Sequence, residues 1–329
     1  MQSVAPFQEI INTEIHRRLA LPQFQEPKGL YAPCEYILKN GGKRVRASLV
    51  LMAAKMFCHD YHKALPVALA FETFHNFTLI HDDIMDNADV RRGQPTVHVK
   101  WNTNTAILSG DAVMIMAYSF FEDAKDFVPS LFSLLNKTAL EVCEGQQYDI
   151  DLELADLHEP WVTEDVYLTM IKLKTSVLIA ACLKAGAIIG GANSYDAELL
   201  YQFGINVGIA FQLQDDLLDT YGNYETFGKK IGGDIAVNKK TYLVIKTLEL
   251  LDSKSKQEFC SLYSSSYSYQ DKYEKVLSIF DSLNIKQITQ QKVDSYFKQA
   301  QECLELLHID TALKTNLYEF MNDLQNRAY

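Results

Sequence analysis

Apolar residues recur at intervals of three and four along almost the whole chain, as in AAKMFCHDYHKALPVALAFETFHNF at 53–77. That spacing belongs to helices with a buried face. Breakers are scarce, with 8 prolines and 15 glycines in 329 residues, and no long polar, Gly/Ser or Pro tract interrupts the pattern. The expected fold class is therefore all-α. At 48% hydrophobic, the chain can bury a sizeable core, and 1–329 is read as a single domain. Helices are expected near 3–20, 30–39, 44–58, 63–86, 104–126, 129–152, 163–190, 195–221, 239–252, 254–264, 268–283, 287–307 and 310–326. Turn signals separate them: NGG at 40–42, RRGQP at 91–95, DLHEP at 156–160, GGANS at 190–194 and YGNYETFGKKIGGD at 221–234. With no repeat of fixed period, a solenoid is set aside in favour of one large helical bundle with buried central helices.

The net charge of −11 argues against a nucleic-acid surface. No run reaches the length of uninterrupted apolar residues that a membrane span needs, and the N-terminal MQSVAPFQEIINTEIHRRL lacks a signal-peptide pattern. A soluble, cytoplasmic protein is expected. The six cysteines, at 34, 58, 143, 182, 260 and 303, stand singly in apolar helical patterns and read as buried free thiols. Most of the last 80 residues are polar and amphipathic, as in a solvated outer layer, with a lid over a site as the alternative.

Against this background the stretch FTLIHDDIMDNADVRRGQPT at 77–96 is costly. Carboxylates at helical spacing repel by roughly 1 kcal/mol per pair in water. The pattern DDIMD at 82–86 also has a copy, DDLLD at 215–219. At about 100° per residue, Asp82 and Asp86 fall on one stripe, one turn apart, with His75 two turns earlier. In the second helix Gln212, Asp216 and Asp219 share a stripe with Gly204 and Gly208. Facing seams would make one cleft. Oxygen ligands at i and i+4 suit a hard divalent cation such as magnesium, which keeps waters and phosphate oxygens around one or two carboxylates. One such cluster is more often a solvated helix end; a copy at identical spacing weighs towards metal. An EF-hand fails, because the required loop residues are missing.

Basic residues stand near both clusters. GGKRVR at 41–46 is a glycine turn entering a helix, with Lys43 and Arg46 on one face and backbone N–H groups at the helix start, an anion site by geometry. Arg91 and Arg92 follow the first acidic turn. Lys229, Lys230, Lys239 and Lys240 follow the second. Lys174, beside Thr175, interrupts an apolar helix and needs a partner, for which a diphosphate is a candidate.

In combination, GGKRVR, HNFTLIHDDIMDNADVRRGQPT, LKTSV, FQLQDDLLD, FGKKIGGD and KKT resemble the landmarks of the all-trans isoprenyl diphosphate synthases, in order over about residues 30–250. The resemblance implies an all-helical isoprenoid synthase fold around a deep central cavity, usually a homodimer, with three magnesium ions. It implies that Lys43, Arg46, His75 and Arg92 bind the diphosphate of isopentenyl diphosphate. Asp82, Asp86 and Asp215 would hold magnesium, with Asp83, Asp216 and Asp219 as neighbouring ligands or behind them. Arg91, Lys174, Thr175, Gln212, Lys229 and Lys239 would surround the diphosphate of an allylic substrate (dimethylallyl, geranyl or farnesyl). Departures are Asn238 where many relatives have Gly, TYL where TxP is common, and a C-terminus whose only basic residue near the end is Arg327.

In such enzymes bulky residues four and five places before the first aspartate limit product length; here these are Thr78 and Phe77. A small residue at 78, an aromatic one at 77 and an uninterrupted DDxxD point to a C20 product, with C15 next. The rival readings are a class I terpene cyclase, which lacks a GGKRVR site, and a non-catalytic partner subunit, which typically loses one aspartate motif. His59 and His62 have metal-like spacing but read as surface residues, and His81, on the helix's other face, as a residue that packs or that stands behind the metal ligands.

Overall fold

The computed structural model describes residues 2–222, 231–265 and 267–326. The chain runs through helices α1 (Ala5–Leu19), α2 (Lys28–Lys39), α3 (Val45–Phe57), α4 (Leu65–Met85), α5 (Val97–Lys100), α6 (Thr103–Ser119), α7 (Val128–Leu154), α8 (Glu164–Ile171), α9 (Val177–Gly190) and α10 (Ser194–Tyr221). Helices Gly233–Ala236, Tyr242–Leu250, Ser253–Tyr263, Tyr269–Ser282, Ile285–Glu305 and Thr311–Gln325 follow. The strands described are a two-residue ribbon, β1 (Val90–Arg91) against β2 (Gln94–Pro95). The fold is all-α, and most helices lie within two or three residues of their expected places.

Three expectations are corrected. The helix expected over 104–126 stops at Ser119, and FFEDAKDF winds as 3-10 turns over Phe120–Phe127. With three residues per turn, this brings Phe121 and Ala124 together on the buried side. The helix expected over 163–190 is interrupted by a π turn at Lys172–Ser176. The helix expected from 239 begins only at Tyr242, after the extended, buried Thr241.

Internal contacts divide the chain into two compact units. The first comprises Met1–Lys137, Ala181–Tyr201 and Leu307–Asp323. Here α4 packs against α3 and α6, α2 against α6, and α1 against α2, α3 and α4. The α3 helix is buried from Ala47 through Ala54, so its low amphipathicity reflects a core helix covered on several sides. Small residues allow that closeness: a Cβ on Gly186 of α9 would lie 2.1 Å from the Val50 carbonyl oxygen.

The second unit comprises Thr138–Ala180, Gln202–Leu306 and Leu324–Tyr329. Tyr242–Leu250 packs on α8 and on Ile285–Glu305, and Ser253–Tyr263 packs on Tyr269–Ser282. These later helices are amphipathic, burying Phe259, Tyr263, Val276, Phe280, Val293 and Phe297 while their other faces are polar. Fully burying one such side chain contributes about 1.5–3 kcal/mol.

All six cysteines are free, but the expectation of burial holds only for Cys34, Cys182 and Cys260: Cys58 and Cys303 are half-buried and Cys143, on α7, is exposed. Among the described residues one stretch, Glu164–Gly190, is apolar and long enough to cross a membrane, and 61% of its most apolar window is buried. It contains the π turn, with Lys172 exposed and Lys174 half-buried, and the buried run Val177–Leu183.

Candidate active site

The first acidic turn is the C-terminal end of α4. Asn87 adopts φ +50°, the Ala88 N–H donates to the Asp83 carbonyl (2.9 Å) and the Asn87 N–H to that of Ile84 (3.3 Å). This is a Schellman stop, with asparagine in the left-handed position. It leaves Asp82 half-buried and Asp86 exposed, one turn apart, at the end of the helix where the peptide dipoles are already negative. Asp83 points elsewhere. It is 1% exposed, and its Oδ1 accepts from Nε and Nη2 of Arg91, both at 2.7 Å. Burial raises its pKa and Arg91 opposes the shift.

Arg91 and Arg92 are carried by the ribbon. Arg92 and Gly93 both have positive φ (+54° and +74°), the geometry of a type I′ hairpin turn. Arg91, on β1, reaches Asp83, while Arg92, in the turn itself, crosses to the glycine turn, donating to the Gly41 carbonyl. Gly42 has φ +134°, and a Cβ there would sit 2.9 Å from the Arg92 guanidinium carbon. Only glycine fits both demands.

Lys43, next in the chain, is exposed, and Arg44 turns inward with φ +51°. Arg44 donates to Asn12 Oδ1 (2.9 Å) and the Leu38 carbonyl (2.7 Å), and lies 3.5 Å from Glu72, itself 2% exposed. Glu72 also accepts from the Ala47 N–H at 3.3 Å. One of the backbone donors expected for an anion at the start of α3 is therefore taken by Glu72. Among the described residues the buried Nε of Arg46 has no hydrogen-bond partner. Burial opposes its charge and Glu72 favours it.

His75 faces the same group. Burial first, then Arg46, Arg92 and Arg91, hold its pKa well below the usual 6.5, so it is neutral at physiological pH. Arg46, His75 and Arg92 thus share one electrostatic neighbourhood. These three arginines repel one another; Asp83 offsets Arg91 and Glu72 acts on Arg46 and Arg92, and a bound anion would offset the repulsion further.

In the second unit the π turn carries Lys174 and Thr175. It is possible because Gly145 of α7 comes so close that a Cβ there would lie 2.2 Å from the Lys174 nitrogen. The Lys174 ammonium pairs with Asp149 at 2.5 Å. This corrects one step of the sequence argument: the partner Lys174 requires is Asp149, not necessarily a diphosphate. Thr175 Oγ1 donates to Gln212 Oε1 at 3.5 Å.

The stripe of Gly204, Gly208, Gln212 and Asp216 is largely a packing seam. Cβ atoms on Gly204 and Gly208 would lie 2.5 Å from Ala180 Cα and 2.6 Å from Ser176 Oγ. Asp216 is 2% exposed, and its Oδ2 accepts from Tyr167 Oη (2.5 Å) and the Tyr242 N–H (3.1 Å). Burial pushes its carboxyl up to about 7. Asp215 and Asp219 are half-buried, and Asp219 Oδ2 accepts from the Asp234 N–H at 2.9 Å. Burial opposes the charge of Lys239, yet Asp234, Asp216, Asp149 and Asp219 outweigh it and raise its pKa. Lys239 lies 3.7 Å from Asp234, while Lys240 is spent on the Glu153 carbonyl (2.7 Å). Lys229, Lys230 and Arg327 lie outside the described residues.

Among the described residues no three His, Cys, Asp or Glu side chains gather as a closed metal cage. Donor chemistry nevertheless fits magnesium. Asp82 with Asp86, and Asp215 with Asp219, are all-oxygen pairs one helical turn apart, while the buried Asp83 and Asp216 are held by Arg91 and by Tyr167 and Tyr242.

Phe77 lies edge-on to His81 (centroids 4.9 Å apart) and tilted against Phe74 (5.5 Å). The His81 ring fills the space where a Cβ on Gly110 would stand, 2.3 Å from Nε2, and so is the packing residue expected. Thr78 Oγ1 is turned back on the His75 carbonyl at 2.8 Å. His59 and His62 are exposed, with His62 stacked on Tyr61. Sequence reasoning missed Glu72, Asp149 and Asp234. Asp149 follows Gly145 by one turn on α7, a spacing that pairs naturally with the lysine needing a partner. Glu72 had a signal too, as a carboxylate inside the apolar run of α4.

The chain matches the polyprenyl synthetase family model over residues 27–280. It is 35% identical over 327 residues to a geranylgeranyl diphosphate synthase of Methanosarcina mazei, covering 98% of each chain. Over 263 residues it is 36% identical to a geranylfarnesyl diphosphate synthase of Natronomonas pharaonis, covering 74% of this chain and 75% of that one. Among solved structures, it is similar to a crystal structure of a geranylgeranyl pyrophosphate synthase with a TM-score of 0.91, at 43% identity and over the whole of both chains.

Proposed function

The chain belongs to the polyprenyl synthetase family, and from that membership we propose that it is a short-chain trans-prenyltransferase making geranylgeranyl diphosphate. Its substrates are isopentenyl diphosphate and an allylic diphosphate. The observation that carries the reading is the pair of intact aspartate motifs, each ending a long helix and each close to cations in its own unit. A cyclase or a non-catalytic subunit would not need both motifs together with the cluster of Arg46, His75 and Arg92. The family match runs through both units, which supports one isoprenoid synthase domain.

Magnesium, in the family's number of three ions, would supply Lewis-acid stabilisation of the departing pyrophosphate, with Asp82, Asp86, Asp215 and Asp219 as its ligands. Lys174 and Lys239 hold the allylic diphosphate, with Thr175 and Gln212 beside it. Lys43, Arg46, Arg92 and neutral His75 hold isopentenyl diphosphate. Breaking the allylic C–O bond leaves a carbocation, the double bond of isopentenyl diphosphate attacks it, and the released pyrophosphate takes the proton. No side chain acts as a nucleophile; fixed charges stabilise the leaving group where charge develops.

The relatives' names and the aromatic Phe77 support C20. A homodimer is supported by the outer stripe of α6, where Leu108 and Ile115, two turns apart, are 60% and 64% exposed. We place the enzyme in the cytoplasm. The test is turnover of isopentenyl and farnesyl diphosphates with magnesium by Asp82→Ala and Asp215→Ala. Each should lose orders of magnitude in kcat with an unchanged circular dichroism spectrum. Activity retained by both variants contradicts the proposal.

A further inference from the structure

Asn238, immediately before Lys239, adopts the left-handed conformation that favours glycine, with φ +61°. Asparagine is among the few residues that tolerate this region. Its side chain is not idle there: Oδ1 accepts a hydrogen bond from the Lys272 ammonium. Lys272, on the helix Tyr269–Ser282, is 3% exposed, and its ammonium lies 4.9 Å from the centroid of the buried Tyr263 ring. Tyr263 in turn donates its hydroxyl hydrogen to the Lys239 carbonyl at 2.8 Å. The Lys239 N–H donates to the Asp234 carbonyl at 2.9 Å. The backbone of Lys239 is thus gripped at both ends of the residue.

A buried ammonium is an expensive way to fill space, since an apolar side chain of the same length would cover Tyr263 without desolvating a charge. What the ammonium adds is a donor aimed at Asn238. The same helix supports the loop further along, where Tyr273 donates to the Thr220 carbonyl at 2.9 Å and its ring occupies the place of a Cβ on Gly232.

We propose that Lys272, acting through Asn238 and together with Tyr263, is a positioning residue for Lys239, so that the C-terminal helices set the allylic diphosphate site. This rests on the reading that Lys239 binds that diphosphate. Lys272 touches no substrate. It fixes the turn that presents Lys239 beside Asp216 and Asp234.

Steady-state kinetics of the full-length enzyme test it, with KM for geranyl diphosphate and for isopentenyl diphosphate measured separately and thermal midpoints recorded. Lys272→Met should raise KM for geranyl diphosphate about fivefold, the scale of one hydrogen bond, and leave that for isopentenyl diphosphate unchanged. Asn238→Gly keeps the backbone freedom but removes the acceptor, so it should reproduce the shift, and the double variant should be no worse than either single one. Asn238→Asp keeps both the acceptor and the left-handed turn and should behave as the native enzyme. A geranyl diphosphate KM unchanged in Lys272→Met and Asn238→Gly, or both KM values rising together, overturns the proposal. Lys239→Ala separates the two layers. If it too leaves the allylic KM unchanged, the assignment of Lys239 is at fault; if it raises KM while Lys272→Met does not, only the positioning role fails.

Discussion

His75 is held neutral by burial among Arg46, Arg92 and Arg91, and that has a consequence for stability. In the unfolded chain the imidazole takes up a proton below its ordinary value of 6.5, whereas in the folded chain it does not. The unfolded state then binds more protons, so folding stability falls as pH drops below about 6.5, by up to about 1.4 kcal/mol per pH unit for one such group. Urea denaturation of the ligand-free protein at about pH 7.5 and about pH 5.5 checks this. Native protein should lose more stability across that interval than His75→Gln, and equal losses would contradict a neutral, buried His75. Phe77 makes a second prediction at this scale. If its ring, braced by His81 and Phe74, is the floor for the growing chain, Phe77→Ala should shift the main product upward by at least one isoprene unit, as read by chromatography of the dephosphorylated alcohols. These single residues differ in how legible they were. The stripe of His75, Asp82 and Asp86 follows from helical periodicity, because all three lie on one stretch of uninterrupted helix. The inward turn of Asp83 and Asp216 does not, because it depends on Arg91, Tyr167 and Tyr242, which lie 8, 49 and 26 residues away in sequence.

Among the elements, the π turn at Lys172–Ser176 bears most directly on chemistry. One extra residue in the turn is a feature often found at functional sites. The apolar pattern around LKTSV continues across it, so periodicity reads straight through from 163 to 190. The ribbon was hidden for the opposite reason, since strands of two residues carry no periodicity, though RRG did mark its turn. Long helices were legible because their apolar repeats extend over many turns. The close approach of α7 to the π turn gives a prediction. Gly145→Ala places a Cβ 2.2 Å from the Lys174 nitrogen, so α7 must shift. It should cost about 1–3 kcal/mol of stability and lower turnover by displacing Lys174. Gly29→Ala is the control, because nothing lies within 4 Å of the added atom, and it should be neutral or slightly stabilising. A Gly145→Ala protein as stable and active as the native one would show that this contact is not required.

For the molecule as a whole, a net charge of −11 is an odd setting for two anionic substrates. Charges screen one another beyond about 8 Å at physiological salt, so what matters is where the cations stand. In each unit a cation stands at an aspartate motif, Arg91 on Asp83 in one and Lys239 near Asp216 and Asp219 in the other, while Arg46 and Arg92 act on His75 and Lys174 pairs with Asp149. The C-terminal helices, which sequence pattern presents as an outer layer, are part of this arrangement through Tyr263, Lys272 and Tyr273. On the proposed function these groups serve successive condensations ending at C20. The most direct measurement is to incubate the purified full-length protein with magnesium, dimethylallyl diphosphate and labelled isopentenyl diphosphate and to size the labelled products. A main product of C20, with C15 as the next most abundant, is predicted. No incorporation of label, or a main product longer than C25, would contradict the account.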